Sequence, residues 1–148
     1  MNENPAPANR DELRARIQSS FERSGLLRHM GAHLGEVAPG RVHIHLPYGA
    51  ELTQHLGFFH AGATTAIADA AGGFAALTVM PPGHTVLSVE FKINFMAPAQ
   101  GESLEAVGRV IRSGRTLSVT QVDVYAVELG EKKPIALMQQ TLMGIPEK

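Results

Sequence analysis

Apolar and polar residues alternate over residues 41–46, where Val42, Ile44 and Leu46 share one parity and Arg41, His43 and His45 the other. This predicts a half-buried strand bounded by Pro39-Gly40 and Pro47, with residues 30–37 as its hairpin partner. Further on, Leu87, Val89, Phe91, Ile93 and Phe95 alternate with Ser88, Glu90, Lys92 and Asn94, which predicts a long strand with one buried face. Pro98 and Gly101 turn the chain into a strand whose Leu104, Ala106, Gly108, Val110 and Arg112 share a parity. After Ser113-Gly114, the run Leu117, Val119, Val122, Val124 and Ala126 changes parity between 119 and 122, and a bulge is expected there. A turn at 130–133 leads to a last strand over 135–143.

Two segments depart from this rhythm. From Asp11, the expected N-cap, Leu13, Ile17, Ser20, Phe21 and Ser24 fall at helical spacing until Gly25 ends the run. The stretch from Gln54 to Leu77 reads as an Ala-rich apolar helix interrupted by one carboxylate, Asp69. The order is helix, two strands, one long buried helix, then four strands joined by short turns. This is an α+β chain, an antiparallel β-sheet wrapped around one long central α-helix, the hotdog fold.

At 148 residues the chain suits one domain. Residues 1–9, with two prolines and no apolar period, read as a flexible N-terminal arm, leaving 10–148 as that domain. Thirteen basic and fourteen acidic residues without blocks of like charge argue against a nucleic-acid surface. No cysteine is present, so disulfides, thiol nucleophiles and cysteine-ligated zinc are excluded. The first residues lack the apolar core of a signal peptide, and a cytoplasmic location is expected. Residues 61–80 are long enough to raise the question of a membrane span. Asp69 near its centre, Gly72-Gly73 and Pro81-Pro82 argue against one. His43 and His45 share a strand face, but no carboxylate close in sequence completes a ligand set, so no metal is expected.

Asp69 carries most of the chemical information. Flanked by alanines and Ile67, it has no polar face to occupy, and burying it costs roughly several kcal/mol unless a partner or a catalytic task holds it. His60, Ala61 and Gly62 open the same helix, where the first backbone N–H groups have no intrahelical acceptor.

Gln54, the His60-Ala61-Gly62 opening, Asp69 and the strand LSVEFKINFMAPAQG over 87–101 together resemble the PaaI-type acyl-CoA thioesterases of the hotdog superfamily. The resemblance implies hydrolysis of an acyl-CoA to a carboxylic acid and CoA. It casts Asp69 as general base or nucleophile, the N–H of Ala61 as oxyanion donor, Gln54 as the amide placing thioester or water, and Ser88 as the holder of the attacking water. Within the motif, a lone helix-start histidine such as His60 is more often a hydrogen-bonding group than a base. The resemblance further implies a homodimer or homotetramer, with Gln54 and Ala61 of one subunit facing Asp69 and Ser88 of the other. It puts the nucleotide end of CoA near Arg112, Gly114 and Arg115, and requires no cofactor, CoA being part of the substrate. Two departures stand out: Ala61 replaces the usual glycine, and Gln54 the more usual asparagine. Glu90, assigned to the face of Ser88, reads as a solvated strand residue beside Lys92. A hotdog enoyl-CoA hydratase or dehydratase, wanting a histidine after the aspartate, and a non-catalytic acyl-CoA-binding module are the alternatives.

Overall fold

The computed structural model describes residues 9–148, so the arm expected over 1–9 lies outside the described residues except for Asn9. Asn9 caps α1 (Arg10–Glu22), its side-chain oxygen accepting the N–H of Asp11 at 3.2 Å. The cap therefore precedes Asp11, which sits in the first turn with its charge at the positive end of the helix dipole. Leu13, Ile17 and Phe21 bury one face of α1 as their spacing predicts. Gly25 does more than end that run: it opens α2 (Gly25–Met30), which Gly31 closes in the left-handed conformation at φ 78°. Strand β1 (His33–Ala38) consequently starts later than expected.

With β2 (Arg41–Pro47), β3 (His84–Phe95), β4 (Ser103–Ser113), β5 (Leu117–Glu128) and β6 (Glu131–Pro146), it forms one antiparallel sheet in the order β1-β2-β4-β5-β6-β3. Helix α3 (Ala61–Leu77) lies across the inner face, packed against β2, β3, β4, β5 and β6. It begins later than the apolar run suggests, because residues 54–60 form a loop closed by a bridge between Thr53 and Phe59. Ile67, Ala68, Ala71 and Ala75 are wholly buried against Val42, Ile44, Leu104, Val122 and Met138. Burying a side chain such as Ile67 contributes about 1.5–3 kcal/mol. The small side chains let helix and sheet approach closely, and a methyl group at Gly108 would overlap the carbonyl oxygen of Ala71.

Bulges decide which side chains reach the helix. In β3, Ser88 pairs with Leu142 and Glu90 with Thr141, leaving Val89 as an extra residue. The single parity expected over 87–95 is therefore split: Ser88 points inward with Leu142, Glu90 points outward with Thr141, and the two do not share a face. In β4 the extra residue is Ile111, which turns Arg112 to the face opposite Val110. Strand β5 is regular between 119 and 122, so the bulge expected there is absent. Ser118, Thr120, Val122, Val124 and Ala126 all point inward; polar residues on the buried face created the apparent change of parity. The β5–β6 loop is only Leu129-Gly130, both at positive φ (49° and 78°), shorter than the turn expected over 130–133.

The buried face expected for β3 is also not formed. Leu87, Val89, Phe91 and Phe95 are 56%, 54%, 43% and 50% exposed, because β3 is an edge strand with no neighbour on its far side. Among the described residues no helix is long and apolar enough to cross a membrane.

On the outer face Glu105 is only 4% exposed, with Lys132 Nζ at 2.9 Å, His43 Nδ1 at 3.1 Å and His45 Nδ1 at 3.6 Å. This is the carboxylate missing from the sequence neighbourhood of the two histidines, and Lys132 already neutralises it. Among the described residues no cluster is arranged to hold a metal. Burial alone would raise the Glu105 pKa, but the Lys132 hydrogen bond and charge, followed by the charges of His45 and His43, bring it below the ordinary value. For His45, burial is the main cause of a lowered pKa, opposed by Glu105 and assisted by His33, His43 and Lys132. Both groups bind protons less readily folded than unfolded. Stability should be full above about pH 6.5, fall first as unfolded His45 protonates, and fall again as pH drops through the carboxylate range. Urea midpoints measured from pH 7 to pH 4 should show this decline, and Glu105→Gln should lower the midpoint at pH 7 while flattening the step below about pH 4.5.

Candidate active site

The start of α3 is built from local chemistry. His60 is the N-cap, with extended backbone (φ −63°, ψ 140°), and its Nδ1 accepts the Gly62 N–H at 2.8 Å. That bond occupies Gly62 and makes His60 a capping group. The N–H of Ala61, exposed at the first helical position, has no intrahelical acceptor. Gln54 closes the preceding turn, its Oε1 accepting the Leu56 N–H and its backbone N–H bonding Phe58 O at 2.9 Å.

Asp69 lies two turns along the helix, half-buried at the mouth of a cleft of about 260 Å³. Ser88 Oγ donates to Asp69 Oδ1 at 2.5 Å, the contact made possible by the bulge at Val89. Gln140 Nε2 donates to the same oxygen at 2.5 Å and also reaches the Asp69 backbone oxygen (3.2 Å) and Ser88 Oγ (3.1 Å). The Gln140 amide is 1% exposed, and its Oε1 accepts Thr120 Oγ–H at 3.0 Å. The hydroxyl on one side and the carboxylate on the other fix which way the amide points. Asp69 Oδ2 takes no hydrogen bond from the described residues. Apart from Ser24, the rest of the cleft is apolar, lined by Leu26, Leu27, Ala70, Phe74, Val86 and Leu142 among others.

Of the residues singled out from sequence, the structure brings Asp69 and Ser88 together. Gln54, His60, Ala61 and Gly62 form a separate group at the helix start; eight residues of helical rise put Ala61 about 12 Å along the axis from Asp69. Arg112, Gly114 and Arg115 stand exposed at the β4–β5 turn, where Gly114 N–H bonds Leu117 O at 2.8 Å. The pairing row Ser88–Leu142–Ser118–Ser113 puts that turn level with Ser88 but three strands, about 14 Å, away. Glu90 accepts from Thr141 Oγ at 2.9 Å on the outer face, remote from this chemistry. Gln140 and Thr120 were missed by the sequence reading. Their signal was a polar side chain at an inward parity between apolar ones: Met138, Gln140, Leu142, and likewise Thr120 before Val122 and Val124.

The Thioesterase superfamily model matches residues 56–133, a span running from the loop before α3 through the β5–β6 turn. A protein of Halobacterium salinarum named as an esterase is 30% identical over 119 residues, which are 77% of this chain and 78% of that one. Human acyl-coenzyme A thioesterase 13 is 33% identical over 92 residues, covering 62% of this chain and 65% of the human protein. The crystal structure of a thioesterase family protein from Silicibacter pomeroyi superposes with a TM-score of 0.88 at 40% identity, over 90% of this chain and 98% of that one. The PaaI protein of E. coli shares the fold, with a TM-score of 0.82 at 17% identity over 93% and 96% of the two chains. The helix-wrapping sheet, the carboxylate above it and these likenesses agree: the chain belongs to the Thioesterase superfamily, in its hotdog form, and is a hydrolytic thioesterase enzyme.

Proposed function

We propose that the enzyme hydrolyses acyl-CoA thioesters to a carboxylic acid and free CoA, with Asp69 Oδ2 as the reacting group. The observation carrying this reading is the unequal use of the carboxylate: Oδ1 is held by two donors while Oδ2, beside a largely apolar cleft, takes none from the described residues. The acyl-CoA substrate is supported by likeness to the human acyl-coenzyme A thioesterase. In the general-base form, Oδ2 takes a proton from water, whose oxygen attacks the thioester carbonyl carbon. The C–S bond then breaks and the departing thiolate is protonated. In the nucleophilic form, Oδ2 attacks the carbonyl carbon, the C–S bond breaks to give a mixed anhydride as the CoA thiolate leaves and is protonated, and water then hydrolyses the anhydride to the acid and the free carboxylate. Either route develops an oxyanion, for which one well-placed N–H is typically worth about 10²–10³ in rate. The chemistry requires no cofactor.

The N–H suited to that task belongs to Ala61. In its own chain it lies too far from Asp69 to share one carbonyl, so the complete site pairs Asp69 and Ser88 with Ala61 and Gln54 of a second copy. The unpaired β3 edge, with its exposed Val89, Phe91 and Phe95, supports a homodimer built by continuing the sheet. The arginines at the β4–β5 turn, Arg112 and Arg115, are free to meet CoA phosphates.

Three measurements test the reading. Asp69→Asn should lower kcat on an acyl-CoA panel by about 10²-fold or more while the fold is kept, and a folded variant with ordinary turnover would overturn the assignment. Gln140→Leu removes the buried amide that holds Oδ1, so the carboxylate loses one of its two fixed donors. kcat should drop about tenfold or more with KM nearly unchanged, whereas mere loosening of the core would disturb the acyl cleft and raise KM as well. Finally, Ala61→Pro deletes only the N–H, because proline suits the first helical position and His60 already has pre-proline geometry. Homodimers of Ala61→Pro and Asp69→Asn should each be weak, and exchanging their subunits should restore activity at one intact site; no recovery in proven heterodimers would put both groups in one chain.

A further inference from the structure

Gly72 and Gly73 are adjacent in α3, but packing explains only one of them. A methyl group at Gly72 would overlap Gln140 Oε1 and stand 2.8 Å from Thr120 Oγ1, so glycine there is required by the amide beneath Asp69. A methyl at Gly73 would meet nothing closer than Leu142 Cδ2 at 3.7 Å and Val86 Cγ2 at 3.8 Å, which is ordinary van der Waals contact. Nor is Gly73 among the residues of positive φ. Glycine is the poorest helix former after proline, so alanine at 73 should make a more stable protein. The chain keeps the weaker residue at a position where nothing in its own packing asks for it.

The cleft supplies a reason. Gly73 is one helical turn beyond Asp69 on the same face, and it lines the cleft together with Ala70, Phe74, Val86 and Leu142. Its absent side chain leaves a notch in the cleft wall about 6 Å from the Asp69 Cα, measured along the helix. An extended acyl chain whose carbonyl carbon sits at Asp69 would reach that notch with its fifth or sixth carbon. We infer that Gly73 is a specificity-determining residue: its missing methyl is space reserved for the substrate, and the enzyme accepts acyl groups that broaden by a branch several carbons from the thioester. The inference rests on the proposal that the acyl group occupies the Asp69 cleft.

The test pairs acyl-CoA substrates of equal carbon number, hexanoyl-CoA with 4-methylpentanoyl-CoA and shorter and longer analogues of each. Wild type should hydrolyse the branched member of at least one pair as well as the straight one. Gly73→Ala should raise Tm by about 2–4 °C and lower kcat/KM for that branched member about tenfold or more relative to its straight partner. A lowered Tm would show that packing requires the glycine, and an unchanged branched-to-straight ratio would show that the acyl group does not touch residue 73; either overturns the inference. Asp69→Asn, assayed in parallel, keeps the two proposals apart. If it is inactive while the Gly73→Ala ratio is unchanged, the specificity role alone fails. If it is active while that ratio falls, the assignment of Asp69 fails and the acyl site stands. A wild type idle on the whole panel, or strictly preferring every straight chain, would overturn the inference.

Discussion

The buried amide of Gln140 is the joint on which the rest of the structure turns. A side-chain amide sealed from water must satisfy its polar atoms within the protein, since each one left unpaired costs on the order of 1–3 kcal/mol. Thr120 takes its oxygen, while Asp69 and Ser88 take its nitrogen. That requirement reaches outward in both directions. Beneath, it places Gln140 and Thr120 among the apolar Met138, Leu142, Val122 and Val124 of β6 and β5. Above, it sets how closely α3 can descend, which is why Gly72 faces the amide and Gly108 faces the backbone of Ala71. The Asp69 carboxylate is held by the buried Gln140 amide and by Ser88 through one oxygen, and its other oxygen takes no hydrogen bond from the described residues.

The second constraint is the edge of the sheet. The extra residue at Val89 turns Ser88 toward the helix, and because β3 is the edge of the sheet its apolar Phe91 and Phe95 stay about half exposed. The same strand therefore supplies a donor to Asp69 and a surface suited to a second copy. On the proposed roles, the distance between Ala61 and Asp69 joins these two observations: an oxyanion donor and a reacting carboxylate about 12 Å apart on one helix would meet at one carbonyl only if two helices contributed.

Much of this was legible in the chain. The alternation of β2 and the apolar run of α3 follow directly from facing one core, and Asp69 stands out because a carboxylate among alanines needs a reason. What escaped has physical causes. One-residue bulges at Val89 and Ile111 leave no compositional trace, so Glu90 was put on the face of Ser88 and Arg112 on that of Val110. Inward polar residues mimic a break in register, which turned Thr120 into an imagined bulge. Gly25 stops one helix and starts another, and sequence shows only the stop. Glu105 is remote in sequence from His43 and His45 yet adjacent to them across the β2–β4 ladder. The apolar parity of β3 was read as burial within the chain, because sequence records hydrophobicity and not which molecule covers it.

The most direct measurement of the central claim is a crystal structure with a non-hydrolysable acyl-CoA analogue in which a methylene group replaces the thioester sulfur. The account predicts its carbonyl carbon beside Asp69 Oδ2 of one subunit, with the carbonyl oxygen on the Ala61 N–H of another. A carbonyl bound away from Asp69, or one held by Asp69 and Ala61 of the same chain, would contradict it.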